Sequence, residues 1–351
     1  MKILPNNSSL IYSGRIDLSD PFAIVWTYPG TFVRIKFKGT QLSIHVRNKH
    51  NYWNNYLGVV EGDAQTKLLL PKEGEATIEI PLQTTQDNIH EVTIFKRQDA
   101  CHELTILGFE INCNTDDECE LLEASPLPPR RIEVYGDSVS AGEVSEAVDY
   151  VAKSDPEHNG EYSNSWYSYA WIAARKLDAQ LHDIAQGGVA LLDNTGWYHE
   201  PDYIGMEHVW NKMRYDSSYG QVTEWDFSKY TPDIVIVAIG QNDSHPDDYM
   251  KTDYECEKAK NWRTHYRQFL AKLRETYPDA WIICCTTLLQ HDISWDMSIG
   301  QAVLDIADKK ISHCVFQRNG KATPGHLRIP EAEEMAEELC HYIHSLNIEG
   351  Y

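Results

Sequence analysis

The sequence of 351 residues has no long hydrophobic run. No apolar stretch approaches the roughly 18 residues that a membrane-spanning helix needs, so we expect no membrane partner. The N-terminal segment carries a very short apolar patch that is broken at Pro5, and it lacks the apolar core of a secretory signal peptide. The sequence therefore predicts a cytoplasmic protein.

Positive charge is scarce. The chain has 31 Lys and Arg residues against 53 Asp and Glu residues, which gives a formal net charge of −22. This balance favours solubility and argues against a nucleic acid as partner. It also disfavours an anionic substrate, because such a ligand would approach through an unfavourable field. We therefore expect a neutral ligand.

Metal and cofactor motifs are absent as well. The 15 histidines include no H-E-x-x-H pair, and the glycine-containing segments lack the spacing of a nucleotide-binding loop. The sequence therefore predicts no metal and no cofactor. The eight cysteines form no C-x-x-C pair, and several of them lie in apolar runs, so we expect free thiols in a reducing compartment.

The first 113 residues have an all-β texture. In the run 32–39, alternate apolar residues share one face. Similar runs follow at 42–46, 76–80, 91–95 and 106–111. Short polar clusters separate them, and this spacing predicts a β-sandwich or jelly-roll domain over residues 1–113. Residues 114–130 are acidic and then proline-rich, which predicts a linker.

Residues 131–351 alternate between strand-like and helix-like segments. Apolar runs typical of strands occupy 132–135, 182–185, 233–240, 281–287 and 313–317. Helical patterns occupy 165–177, 258–276 and a final segment that starts near Pro330. Buried strands that alternate with helices predict an α/β fold with a doubly wound parallel sheet. In such sheets, ligands bind beyond the carboxyl ends of the strands.

Small and polar residues occur at these strand ends. They form the segments GDS (136–138), QGG (186–188), QND (241–243) and, before the last helix, TPGH (323–326). A serine and a histidine at one sheet edge are the residues that acyl transfer needs. We therefore predict a catalytic site at this edge.

Each segment supplies a role in acyl transfer. Ser138 could attack a carbonyl carbon, and His326 could take its proton and return it to the leaving alcohol. The backbone N–H groups of Ser138 and Gly188 and the side-chain amide of Asn242 could donate to the oxyanion. Gly187 is an alternative to Gly188 as the donor. The alternative for the GDS segment is a helix cap, because Asp and Ser are favoured N-cap residues.

The four segments, in this order, resemble the four blocks of the GDSL/SGNH hydrolases. The matching residues are Ser138 in GDS, Gly188 in the glycine loop, Gly240, Asn242 and Asp243 in G-x-N-D, and the late His326. The segments GRIDL, GTFVRIKFKGTQLSIHV and NNYLGVVEGD ahead of them resemble the jelly-roll-plus-SGNH layout of carbohydrate esterase family two. The resemblance covers nearly the whole chain.

The resemblance implies a flavodoxin-like SGNH domain preceded by a jelly-roll domain. It also implies a carbohydrate O-acetylesterase with a serine nucleophile, which removes acetyl groups from plant-derived oligosaccharides of the mannan or xylan type. An acetylated oligosaccharide would then be the partner. The alternatives are a lipase or thioesterase on the same SGNH site and a non-catalytic carbohydrate-binding protein. The glycan backbone, the acetyl position and the oligomeric state stay open.

One position departs from the family pattern. Many SGNH enzymes have Asp three residues before the histidine, and this chain has Thr323 there. Some members of carbohydrate esterase family two resemble a Ser-His dyad whose imidazole is oriented by a backbone carbonyl, and we expect the same arrangement here. The histidine would then keep an ordinary pKa of about 6.5. Asp243 and Asp292 are alternative sources of the missing acid.

Two residues are candidates for substrate binding. Trp295 lies in the segment 288–300, which follows a strand, and an exposed tryptophan there could stack on a sugar ring. Asp243 lies beside a predicted oxyanion donor. The aromatic-rich insertion 194–220 could form the rim of the acceptor site or an oligomer contact.

Overall fold

The computed structural model describes residues 1–99, 101–113 and 119–351, and its N-terminal part is a β sandwich. The strands are β1 (Lys2–Ile3), β2 (Ile11–Ser13), β3 (Ile16–Asp17), β4 (Ile24–Trp26), β5 (Phe32–Lys38), β6 (Gln41–His50), β7 (Tyr56–Glu61), β8 (Ala64–Leu69), β9 (Glu73–Ile80), β10 (Ile89–Lys96), β11 (His102–Asn112) and β12 (Glu120–Leu122). They form two antiparallel sheets. One has the order β3-β4-β11-β6-β9 with β1 paired to β11, and the other has the order β12-β5-β10-β7-β8 with β2 paired to β5.

Alternation of apolar and polar residues packs these sheets face to face. Val33, Ile35 and Phe37 of β5 are fully buried. On β6, Leu42 and Ile44 are fully buried in the same hydrophobic cluster. Because successive side chains of a strand point to opposite faces, the polar residues between them lie on the outer face. The predicted all-β domain is therefore present.

The segment predicted as a linker contributes to the sandwich. Residues 114–118 lie outside the described residues, but β12 follows them and pairs antiparallel with β5, with Leu121 opposite Phe37. At the start of this segment, Cys113 and Cys119 form a disulfide. The expectation that all eight cysteines are free is therefore wrong for this pair.

The C-terminal part alternates strands and helices. Its strands are β13 (Arg130–Gly136), β14 (Ala179–Ala185), β15 (Lys212–Arg214), β16 (Thr223–Glu224), β17 (Ile234–Ala238), β18 (Trp281–Cys285) and β19 (Ile311–His313). Its helices are α1 (Ser138–Ala141), α2 (Tyr169–Lys176), α3 (Met206–Val209), α4 (Tyr249–Thr252), α5 (Glu257–Thr276), α6 (Ile293–Ile306) and α7 (Ile329–Ser345). A parallel sheet has the order β14-β13-β17-β18-β19. Within the described ranges, no helix has both the length and the apolar character to cross a bilayer.

Helices cover both faces of the parallel sheet. All of β17 is buried, and its side chains alternate between two hydrophobic clusters. Ile234 and Ile236 pack with residues of α2 and α7, whereas Val235 and Val237 pack with residues of α5 and α6. This double burial explains why β17 is a continuous apolar run instead of an alternating one. The predicted doubly wound sheet is therefore present.

Two segments differ from the prediction. The sequence analysis assigns no helix to the segment 288–300, but α6 begins within it. The Asp292 carboxylate accepts from the backbone N–H of Ser294 at 3.0 Å and caps this helix. The last strand is also displaced. The sequence predicts it over 313–317, whereas β19 spans Ile311–His313.

Contacts of two arginines join the sandwich to the C-terminal part. Arg15 of the sandwich pairs with Glu133 of β13 at 2.8 Å, and both side chains are fully buried. Arg15 also donates to the backbone carbonyl of Trp210 at 2.6 Å. A second pair joins Arg97 of the sandwich to Glu146 at 2.6 Å. These contacts hold the sandwich beside the carboxyl edge of the sheet, where the predicted site lies.

Candidate active site

The GDS segment is a strand-to-helix turn. β13 ends at Gly136, and Asp137 caps α1, since its Oδ1 accepts from the backbone N–H of Val139 at 2.9 Å. Gln241 Nε2 donates to the other carboxylate oxygen at 2.7 Å. Burial raises the pKa of Asp137 to about 6, although both hydrogen bonds act in the opposite direction. The capping interpretation is therefore correct for Asp137, while the hydroxyl of Ser138 bonds elsewhere.

Ser138 and His326 meet at the carboxyl edge of the sheet. His326 Nε2 lies 2.8 Å from Ser138 Oγ, and Nδ1 of the same ring lies 2.6 Å from Asp155 Oδ2. Serine, histidine and carboxylate thus form one chain of hydrogen bonds, which is the geometry of an activated nucleophile. The expected dyad is wrong, because a carboxylate and not a backbone carbonyl orients the ring.

Asp155 keeps its negative charge because donors surround it. Its Oδ1 accepts from the backbone N–H of His326 at 2.9 Å and from Nη2 of the buried Arg328 at 2.8 Å. Burial alone would raise the pKa of Asp155, but the hydrogen bonds from His326 and the charge of Arg328 hold that pKa well below its usual range. The carboxylate can therefore stabilise an imidazolium ring.

Neighbouring acids also change the histidine. Burial lowers the pKa of His326, but the negative charges of Glu143 and Asp155 outweigh this effect and raise the pKa to about 9. The expectation of an ordinary histidine pKa is therefore wrong. The same carboxylate that orients the ring stabilises its protonated form.

A helix cap fixes the loop that carries Asp155. Glu331 lies in the first turn of α7, and one of its oxygens accepts from the backbone N–H of Arg328 at 2.8 Å. The other oxygen accepts from the backbone N–H of Ala152 at 2.8 Å. One carboxylate therefore ties the loop before Asp155 to the helix that follows His326.

Neither acid proposed from the sequence serves His326. Asp243 is fully buried, and its carboxylate accepts from the backbone N–H groups of Leu191 at 2.7 Å and Leu192 at 3.2 Å. Burial raises the pKa of Asp243 to about 7, although these hydrogen bonds lower it. Asp243 holds the loop after β14, so its assignment to substrate binding is wrong. Asp292 serves as the N-cap of α6.

The loop after β14 brings Gly188 to the cleft beside Ser138. The φ of Gly188 is +75°, and a Cβ there would lie 2.8 Å from Trp197 Cβ, so only glycine fits. The N–H of Gly187 donates to Asp99 Oδ2 at 3.0 Å. For the N–H of Gly188, the described part of the chain offers no acceptor. This difference favours Gly188 over Gly187 as an oxyanion donor.

Asn242 also lines the cleft. Its amide donates to the backbone carbonyl of Val189 at 3.0 Å and to Asp137 Oδ2 at 3.3 Å. The second bond is long, so its hydrogen is the one that a stronger acceptor in the cleft can take. The role of Asn242 as an oxyanion donor stays a prediction.

Trp295 does not reach the cleft. The residue lies on α6 and is fully buried, where its ring packs at 5.4 Å from that of Trp262. Its indole N–H donates to Asp248 Oδ1 at 3.1 Å. A side chain without exposed area cannot stack on a sugar, so this prediction is wrong.

Aromatic rings from both domains line a cleft of about 360 Å³ around Ser138. Tyr52 and Trp53 come from the sandwich, and Trp197 comes from the insertion 194–220. The Trp197 ring stacks on that of His245 with centroids 3.3 Å apart, and 58% of the residue is exposed. Of the two interpretations of the insertion, the structure supports the rim of the site.

One group of side chains has the spacing of metal ligands. The donor atoms of Asp99, Cys101 and His102 lie within 4.8 Å of one another, and all three residues are buried. Cys101 Sγ instead donates to Asp99 Oδ1 at 2.7 Å, and burial raises the pKa of this thiol well above its usual value. The buried Lys96 Nζ donates to the backbone carbonyl of Gln98 next to this group at 2.8 Å. A neighbouring ammonium group disfavours a bound dication.

The sequence patterns did not predict the role of Asp155. The residue lies in an irregular segment between Ser154 and His158, where no helix or strand period marks a position. The available signal was negative: Thr323 replaces the expected acid, which leaves either a backbone carbonyl or another carboxylate to orient His326. With 53 acidic residues in the chain, that signal alone does not select one.

Comparisons with known proteins agree with this architecture. Residues 12–117 match the family model described as Carbohydrate esterase 2 N-terminal. The chain is 29% identical over 345 residues, 95% of its length, to the cellulase/esterase CelE of Acetivibrio thermocellus. A solved family two carbohydrate esterase from Clostridium thermocellum, in complex with cellohexaose, superposes with a TM-score of 0.80 at 25% identity and covers 96% of this chain and 98% of that chain. Over nearly its whole length, the chain is therefore similar to carbohydrate esterases of family two.

The resemblance and fold class predicted from the sequence are thereby confirmed. The chain is also 27% identical over 281 residues to an acetylxylan esterase / glucomannan deacetylase of Cellvibrio japonicus, which covers 77% of this chain and 69% of that protein. The chain spans 39% of the length of CelE.

Proposed function

We propose that this protein is a carboxylic ester hydrolase that removes acetyl groups from carbohydrates, with Ser138 as nucleophile. The observation that carries the proposal is the hydrogen-bonded chain from Ser138 Oγ through His326 to Asp155. It opens into a cleft lined by aromatic rings. The relationship to family two carbohydrate esterases supports the same reaction class.

Acylation begins at Ser138. His326 Nε2 takes the hydroxyl proton as Oγ attacks the acetyl carbonyl carbon. The backbone N–H groups of Ser138 and Gly188 and the amide of Asn242 donate to the oxyanion. The tetrahedral intermediate then collapses, the sugar oxygen leaves with the proton from His326, and the acetyl group stays on Ser138. Water, activated by the same histidine, hydrolyses this ester and releases acetate.

The substrate is an acetylated oligosaccharide of the mannan or xylan type. Trp197 and Tyr52 offer exposed ring faces at the cleft, and such faces pack against the apolar faces of sugar rings. A neutral glycan also suits a chain with a net charge of −22. The name of the Cellvibrio japonicus relative, acetylxylan esterase / glucomannan deacetylase, includes both polymer types. The cytoplasmic location remains a prediction.

Acyl length and glycan type test this function together. The protein is incubated with p-nitrophenyl acetate, butyrate and octanoate, and with acetylated manno- and xylo-oligosaccharides, while Ser138→Ala protein serves as the blank. We expect acetate release from the oligosaccharides and a loss of about 1–3 kcal/mol in transition-state binding for each methylene that does not fit. Preference for octanoate with untouched acetylated sugars would assign a lipase or thioesterase. Sugar binding without any ester hydrolysis would assign a carbohydrate-binding protein.

A further inference from the structure

Glu143 lies in the cleft and takes no part in the Ser138–His326–Asp155 chain. It follows α1, and its backbone N–H donates to the carbonyl of Ser138 at 2.9 Å, so its side chain starts from the same turn as the nucleophile. Glu143 Oε2 lies 3.8 Å from His326 Nε2, and 13% of the side chain is exposed. The residue also borders the cleft directly.

The Glu143 carboxyl group accepts no hydrogen bond from the described residues, since His326 Nε2 at 3.8 Å lies beyond hydrogen-bond distance. Asp155, on the other side of His326, accepts from both His326 and Arg328. A carboxyl group with little exposure needs hydrogen-bond partners, and at Glu143 the cleft is where they can enter. Burial and the neighbouring Asp99 raise the pKa of Glu143 to about 7, while His326 lowers it. Protonated or ionised, the group can accept a hydrogen bond from a hydroxyl.

The position of Glu143 indicates which hydroxyl it meets. His326 Nε2 returns the proton to the leaving sugar oxygen, so that oxygen lies within hydrogen-bond distance of this nitrogen. Glu143 Oε2 is 3.8 Å from the same nitrogen. A hydroxyl that donates to Glu143 is therefore a close neighbour of the leaving oxygen. On a monosaccharide, such a neighbour is another hydroxyl of the same sugar unit.

We propose that Glu143 binds a free hydroxyl of the sugar unit that carries the acetyl group, and thereby selects acetyl esters of sugars over simple acetates. The inference rests on the proposed esterase function and adds a specificity-determining residue to it. The hydroxyl donates to Oε1 or Oε2 while the neighbouring acetylated oxygen lies against His326 Nε2. No bond to Glu143 forms or breaks covalently during the reaction.

Paired substrates test this role. Glu143→Leu, which has no acceptor, is compared with wild type on a monoacetylated methyl glycoside and on p-nitrophenyl acetate, each at the pH plateau of the variant. We expect kcat/KM to fall by about 10- to 100-fold more on the glycoside than on p-nitrophenyl acetate, because only the glycoside loses a hydrogen bond to a charged group, whereas an effect through His326 changes both substrates alike. Glu143→Gln keeps one acceptor oxygen and should lose less. Glu333→Gln, on the exposed side of α7, is the matched control.

A blocked substrate separates the outcomes. When the other hydroxyls of the glycoside are methylated, wild type and Glu143→Leu should hydrolyse it equally slowly. Equal losses on the glycoside and on p-nitrophenyl acetate would overturn the inference, because Glu143 would then act through His326. Unchanged rates on both would overturn it as well. If the wild type cleaves p-nitrophenyl acetate in these cases, the proposed esterase function survives, whereas an inactive wild type overturns both.

Discussion

Glu133 lies within β13 and Glu143 follows α1, and the carboxyl groups of these two residues have different hydrogen-bond partners. Glu133 is fully buried and accepts from Arg15 at 2.8 Å, from the Tyr135 hydroxyl at 3.0 Å and from the Tyr277 hydroxyl at 2.6 Å. Glu143 faces the cleft and accepts from none of the described residues. A buried charge whose acceptors are filled by the protein supports the fold, whereas one left open toward a cleft is available to a ligand.

Removal of the nucleophile should have the largest effect on activity and little effect on stability, which is the behaviour expected of a residue that serves the site and not the fold. Ser138→Ala should lower kcat by about 10⁶-fold, because the attacking atom is lost. The unfolding midpoint should stay nearly unchanged, since His326 is the one hydrogen-bond partner of this hydroxyl among the described residues. Ser140→Ala is the matched control: its hydroxyl bonds that of Tyr169 at 2.8 Å, so it should lose stability and keep activity. A Ser138→Ala enzyme with a tenth of the wild-type rate would contradict the assignment.

Removing the acid next to the histidine should have the second largest effect. Asp155→Asn should lower kcat by about 10⁴-fold, because the imidazolium loses its partner and the ring its orientation. The sign of the pH effect follows from the raised pKa of about 9 for His326. Without the carboxylate, this pKa falls, so the acid limb of kcat/KM should move to lower pH.

Asp292→Asn provides the control for that measurement, because Asp292 only caps α6. Its pH profile should match that of the wild type. If Asp155→Asn retained more than a tenth of the activity with an unmoved acid limb, the backbone-carbonyl dyad expected from the sequence would be restored.

The smallest effect on activity is expected for Glu133, whose substitution should change the stability of the fold. Glu133→Gln leaves the guanidinium of Arg15 buried without its counter-ion, which should cost about 3–5 kcal/mol in the free energy of unfolding. The activity of the folded protein should remain. Glu75→Gln breaks the exposed pair with Arg47 and should cost no more than about 1 kcal/mol in urea unfolding. Equal losses from the two substitutions would remove the distinction drawn above.

The sequence predicted those parts of the site that strand ends position. Ser138 and His326 come together because parallel strands and the last helix bring their segments to one edge, and apolar periodicity reveals that edge. Asp155 comes from an irregular loop that is held by Arg328 and Glu331, and such tertiary contacts leave no periodic trace.

The failure at Trp295 has a different cause. Asp292 caps α6, which begins in the segment after β18. Because Trp295 lies on the buried face of this helix, its ring packs in the core against Trp262. Trp197, which does border the cleft, lies in an insertion whose aromatic content alone allowed two interpretations. Residue type therefore indicated a sugar site, while the element that carries each tryptophan decided which one reaches it.

The contact between Asp99 and Gly187 bears on whether the two domains are interchangeable parts. Asp99 belongs to the sandwich, yet its carboxylate takes the N–H of the glycine that precedes Gly188 and also lies 3.3 Å from Gln186 Nε2. A residue of the sandwich thus helps to fix the conformation of the loop that carries Gly188. Replacing this sandwich by an unrelated sugar-binding module would remove the Asp99 contact that holds the loop. The sandwich and the domain with the parallel sheet therefore have to be inherited and engineered as one unit.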